Sequence, residues 1–154
     1  MKGTPYAGAT TTRARDDIVK MLRQFGCEQV GIMDDDANHE VMLYFKHRGR
    51  QVRMAASFKG WAQMYLKANP HTYRMRTSRQ DYEQRALEQG RVAVNSALRD
   101  WVKAQMTLVE SGILSFEAVF MPFMLTRDGR PLIEHAADLL PEAENEKVVA
   151  LPAR

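Results

Sequence analysis

Carboxylates are missing from the middle of this chain. Between Val41 and Gln80, forty residues, there is no Asp or Glu, although the sequence holds 19 of them in 154 residues. The same stretch carries Lys46, Arg48, Arg50, Arg53, Lys59, Lys67, Arg74, Arg76 and Arg79. The whole chain is only +3, so the remainder is net acidic. Cations gathered where no anion is close in sequence mark a surface that seeks an external anion.

Other absences exclude whole classes of function. Cys27 is the single cysteine, which rules out an intrachain disulfide and a four-thiolate zinc site. Met1 to Thr12 is polar and Gly/Thr-rich and lacks the apolar core of a secretion signal. Together these point to a reducing bacterial or viral cytoplasm. No run of about 18 apolar residues occurs, so no membrane span is expected. His39, His47, His71 and His135 lack ligand spacing, and Gly8, Gly26, Gly31 and Gly49 are too isolated for a phosphate loop. The acidic run from Asp34 to Glu40 misses the EF-hand pattern: His39 and Phe45 stand where Gly and Glu are needed. It reads as a polar turn. A PD-(D/E)xK nuclease needs a Glu-x-Lys-type triad, but Glu40 is the only carboxylate from residue 40 to 57. Cys27 follows a helix end and reads as buried packing. No catalytic group, metal or cofactor is expected, and the balance leans towards a non-enzymatic protein.

What is present fits one α+β domain over residues 13–140, between a flexible arm at 1–12 and a disordered tail at 141–154. Ile18, Met21, Leu22 and Phe25 recur at helical spacing, and Gly26 stops the helix. Strands follow at about 29–33, 40–47 and 50–57, forming an antiparallel meander. Arg48-Gly49 is a two-residue hairpin loop. With that loop, Phe45 faces Val52, Leu43 faces Met54 and Val41 faces Ala56, all apolar and on one face. The other face pairs Lys46 with Gln51, Tyr44 with Arg53 and Met42 with Ala55. A one-residue slip destroys this agreement.

The second half reads as helical. Ser57 caps a helix ending at Asn69-Pro70. Ser78 and Asp81 open a long helix over 79–110. Its Leu87, Val94, Trp101 and Leu108 repeat every seven residues. That stripe packs on the protein's own sheet or on a second copy, as a homodimer. Gly90 marks a bend or a close neighbour. Short helices follow Ser115 and Pro131, with a kink at Pro122.

The candidate binding residues are Lys46, Arg48, Arg50 and Arg53 on the meander, with Arg74 and Arg76 as a second arm. Tyr44 and Tyr73 are the interleaved aromatics able to stack on bases. The expected partner is nucleic acid, DNA or RNA, held largely independently of sequence, because these cations reach phosphates. An acidic host protein is the other partner such a patch suits.

Two resemblances add to this. The order helix, three strands, helix over residues 13–68 resembles a double-stranded-RNA-binding domain. Its lysine cluster at the second helix is reduced here to Lys59. Residues 94–133, from Val-Asn-Ser-Ala-Leu-Arg-Asp-Trp-Val-Lys-Ala-Gln through Val-Glu-Ser-Gly-Ile-Leu-Ser-Phe-Glu to Asp-Gly-Arg-Pro-Leu-Ile, are similar to an uncharacterised family of tailed-phage and prophage proteins. The segment from Lys46 to Pro70 is similar to it as well. That resemblance implies an accessory role inside a bacterial host and no catalysis. The expectation is a phage-type accessory protein that binds nucleic acid, or one that modulates a host defence or nucleic-acid-processing enzyme.

Overall fold

Each regular element begins and ends on residues suited to the task. In the computed structural model, which describes residues 3–142, α1 spans Ala14–Gln24 and buries Ala14, Ile18 and Leu22 on one stripe. Gly26 takes φ 82°. The Gly26 N–H then reaches Arg23 O at 3.0 Å and the Cys27 N–H reaches Leu22 O at 2.9 Å, the paired bonds of a Schellman ending.

Strands β1 (Glu28–Asp35), β2 (Glu40–His47) and β3 (Arg50–Ser57) form a single antiparallel sheet in that order. Every expected pair of the second hairpin is present, from His47 with Arg50 to Val41 with Ala56. Arg48 at φ 50° and Gly49 at φ 79° are both left-handed, which defines a type I′ turn and matches the twist of the strands. β1 is longer than its apolar run suggested. It carries an irregularity between Glu28 and Gly31, where Gln29 sits at φ 52°.

Helix α2 (Phe58–Ala68) starts at Ser57, whose hydroxyl accepts from the Gly60 N–H at 2.9 Å. Helix α3 (Arg79–Glu110) starts at Ser78 in the same way, accepting from Asp81 at 3.1 Å. α4 (Phe116–Phe120) is capped by Ser115 and tightens into a 3₁₀ turn containing Pro122. The short α5 spans Leu132–Ala136.

The core lies on one face of the sheet. Leu43, Phe45, Val52 and Met54 meet Ile18 and Leu22 of α1, Val102, Met106 and Val109 of α3, and Phe116 and Phe120. Phe45 meets Phe120 edge-on at 5.5 Å, and Trp101 meets the same ring at 5.7 Å. Each such ring buried contributes about 1.5–3 kcal/mol. One end of this layer is clamped by Asp34, which takes bonds from Arg15 of α1 and, at 2.6 Å, from Arg91 of α3.

Three expectations need correction. The seven-residue stripe of α3 is only half-buried; its fully buried positions are others, among them Ala86, Gly90, Ala93, Val102, Met106 and Val109. The helix changes partner along its length, α2 first and then α1 and the sheet, so its buried line turns. Residues 3–12 also lie docked where a free arm was expected. Trp61 Nε1 donates to Pro5 O at 2.9 Å, and Gln89 Nε2 donates to Ala7 O and Ala9 O at 3.1 and 2.9 Å. Lastly, the helix-sheet-helix order at 14–68 is present, but the chief partner of α2 is α3, not the sheet. The expected tail from 143 onward lies outside the described residues.

Gly90 is where α2 comes closest. A Cβ there would stand 2.8 Å from Phe58 O and 3.2 Å from Trp61 Cε3. Alanine normally gains about 1 kcal/mol over glycine inside a helix. Here the backbone contact reverses the sign: Gly90→Ala is expected to lower the unfolding free energy by about 1–3 kcal/mol in urea titrations.

Candidate nucleic-acid interface

Strand alternation divides the meander's side chains. Val41, Leu43, Phe45 and His47 point into the core, and Met42, Tyr44 and Lys46 point outward. Arg53 stands opposite Tyr44 and Ala55 opposite Met42; Gly31 and Met33 continue these two rows on β1. Among the described residues no helix covers this outer face, and Met33 is 63% exposed. Gly31 offers no side chain beside Tyr44, whose hydroxyl reaches Gln29 Oε1 at 3.3 Å.

Lys46, Arg50 and Arg53 form no ion pair among the described residues, although Glu28 stands across the ladder from Lys46. Arg48, at the tip, has a loose partner: its Nη2 lies 3.8 Å from Glu110 Oε1. A pair this long and exposed contributes under about 1 kcal/mol, so the cation remains available. Lys46, Arg53 and Tyr44 share the outer face of the sheet; Arg50 stands opposite inward-pointing His47 and, with Arg48, belongs to the hairpin tip beside that face.

The second arm lies elsewhere. Tyr73, Arg74 and Arg76 are all exposed in the loop 69–78, and the Arg74 guanidinium sits 5.7 Å from the Tyr73 ring centre. That loop leads into the first residue of α3, whereas Glu110, beside Arg48, is its last. At 1.5 Å per residue a helix of 32 residues is roughly 48 Å long. The basic stretch therefore forms two separate surfaces and not one. Arg79 leaves the set altogether, bound to Glu83 at 3.2 Å.

One cation escaped the sequence reading. Leu125 N–H donates to Gln51 O at 2.8 Å and Met124 bridges Val52 antiparallel, so this short segment covers the edge of β3. The turn that follows lies at the Arg50 end of the sheet, and exposed Arg127 belongs to it. The Asp128-Gly129 turn was readable, but nothing local gives its pairing with β3. Arg130 in the same turn is held by Asp128 at 3.0 Å.

Two polar constellations invite a catalytic reading, and geometry argues against both. His135 Nε2 is 3.2 Å from Thr126 Oγ1 and 3.2 Å from Asp128 Oδ1. A relay needs the nucleophile and the orienting acid on opposite nitrogens of the histidine base; here both oxygens share one. Inside the domain, Cys27 Sγ lies 3.5 Å from His47 Nδ1, and Glu110 Oε1 lies 4.0 Å from His47 Nε2. The order is that of a thiol, base and acid, and long-range pairing brings it together where sequence separation hid it. Yet Cys27 is only 7% exposed and sits at the negative end of the α1 dipole. Burial, with Glu110 adding to it, pushes the thiol up to about 12, which leaves almost no thiolate nucleophile. The cluster is structural: the His47 ring packs 4.9 Å from Phe116. Among the described residues no group of three His, Cys, Asp or Glu is placed to hold a metal, and no helix is long and apolar enough to cross a membrane.

His47 generates a pH dependence. Burial lowers its pKa below 6.5, Arg48 lowers it further, and Glu110 acts in the opposite direction. The unfolded chain then binds a proton before the folded one does as pH falls. The stability contribution is complete above about pH 6.5 and is lost below it. Urea midpoints are expected to drop between about pH 7 and pH 5, with a shallower drop in His47→Gln.

Compared with known proteins, the chain matches no family model, no curated protein and no solved structure. Its function must be read from its own side chains.

Proposed function

We propose that this protein is a non-enzymatic nucleic-acid-binding protein that lays a single strand across the outer face of its sheet. The observation that carries the reading is Tyr44 flanked by Lys46 and Arg53, neither in an ion pair among the described residues, on a face no helix covers, with exposed Arg48 and Arg50 at the adjoining hairpin tip. An open sheet with a ring beside a track of cations suits a strand whose bases stack and whose phosphates lie against the charges. Arg48 extends the track at the hairpin tip, and Arg127 flanks it. No base edge is selected by such contacts, so recognition is largely independent of sequence. The proposal includes an accessory role in a bacterial cytoplasm.

A second reading has its own support. Met33, Met42 and Ala55 lie in one row beside the cations, an apolar strip that suits a protein surface better than phosphates. The partner would then be an acidic host protein, such as a defence or nucleic-acid-processing enzyme.

Anisotropy titrations with labelled single-stranded oligonucleotides separate these readings. For four phosphate contacts the plot of log K against log salt should have a slope of roughly −3. Arg48→Asn keeps a residue suited to the I′ turn while removing one cation. Combined with Arg50→Glu, it should flatten that slope by about 1–2. Tyr44→Leu should weaken binding by about 1–3 kcal/mol with the slope unchanged, and Arg74→Ala with Arg76→Ala should leave binding intact. Salt-independent or absent binding rejects the strand reading; an acidic partner that survives nuclease treatment and is lost in the Met33→Glu variant would replace it.

A further inference from the structure

The far end of α3 carries a cavity that the sheet reading does not use. It lies between α2, α3, the loop 69–78 and the docked residue Ala7, with a volume of about 370 Å³. That is within the roughly 300–1,000 Å³ of small-molecule sites. Its walls include the rings of Tyr65 and Tyr82 and the thioether of Met75. Tyr65 is backed by Trp61, stacked at 5.4 Å and 12°, and the Tyr82 hydroxyl donates to Asn69 O at 2.6 Å. Both phenol rings are thus held in place before any ligand arrives.

Charge in the cavity is of one sign. No carboxylate lines it. Arg85 does, and its Nη1 contacts only Thr77 Oγ1, at 3.4 Å, with no ion pair among the described residues. Met75 and Thr77 line the wall, and Arg74 and Arg76 are their neighbours in the same loop. Both are exposed and form no ion pair among the described residues. Aromatic and thioether walls favour a flat ring. An unpaired guanidinium within the cavity and two more in the loop that lines it favour a phosphate on that ring's substituent.

We infer that this cavity is a nucleoside-monophosphate site, taking the base between Tyr65, Tyr82 and Met75 and the phosphate on Arg85 with Arg74 and Arg76. The occupant is either a free mononucleotide or the phosphorylated end of a strand; both present the same ring and anion. Arg85 stands roughly 38 Å along α3 from Glu110 at the hairpin patch, so the site does not depend on the sheet binding anything.

Isothermal titration calorimetry of the intact chain tests this, with AMP, CMP, GMP, UMP and a 5′-phosphorylated trinucleotide as probes and inorganic phosphate as control. At least one probe should bind saturably with Kd below about 1 mM. Arg85→Ala, a solvent-facing helix position that leaves the fold intact, should weaken that binding about tenfold or more. Arg74→Ala with Arg76→Ala should weaken it as well. Arg48→Asn with Arg50→Glu should leave it unchanged, which keeps its outcome separate from that of the sheet reading. Tighter binding of mononucleotides identifies the free ligand, and tighter binding of the trinucleotide identifies a strand end. The inference is overturned if no probe binds, if Arg85→Ala binds as tightly as the parent chain, or if inorganic phosphate alone binds as tightly as the nucleotides.

Discussion

The two-residue turn at Arg48-Gly49 is the constraint on which the rest of the molecule depends. Its two left-handed residues set the register of β2 against β3, and strand alternation then sorts every side chain of the hairpin. Phe45, Leu43 and Val52 go to the core because Tyr44, Lys46 and Arg53 go to solvent. A shift by one residue would bury the cations and expose the rings. Packing energy and surface charge are therefore specified by the same register, and neither can change without the other.

α3 supplies the second organising element. Its first turns pack on α2 through Ala86, Gly90 and Ala93, and its last turns pack on the sheet through Val102, Met106 and Val109. Small residues let the helices approach closely at one end, and larger ones fill the space above the sheet at the other. The helix thereby acts as a rigid spacer between two cationic surfaces that one continuous stretch of chain supplies. None of the large exposed apolar side chains among the described residues belongs to it.

Much of the architecture was legible because its signals are local. Ser57, Ser78 and Ser115 each cap the helix they precede, and the hairpin pairs follow from counting back from Gly49. Features that depend on tertiary partners were not legible. The heptad of α3 assumed one partner, and the helix packs on α2, on α1 and on the sheet. The docking of residues 3–12 uses backbone carbonyls as acceptors for Trp61 and Gln89, and carbonyls carry no sequence signal. The candidate residues were found as types, a meander cluster and a second arm, but their separation was not legible: an intervening helix carries Arg74 and Arg76 to the opposite end of α3. Cys27 and His47 meet only because β1 and β2 are paired, which spacing along the chain conceals.

The single carboxylate oxygen of Glu110 that lies near both His47 Nε2 and Arg48 Nη2 has a consequence for selectivity. It is an intramolecular neighbour whose long, exposed pair with Arg48 is weak enough to be exchanged. A lone acetate-like visitor gains nothing by displacing it. A polymer that engages several neighbours at once can outbid it, because the other contacts hold the newcomer in place while the exchange occurs. In the proposed reading the hairpin tip would therefore favour polyanions over small anions.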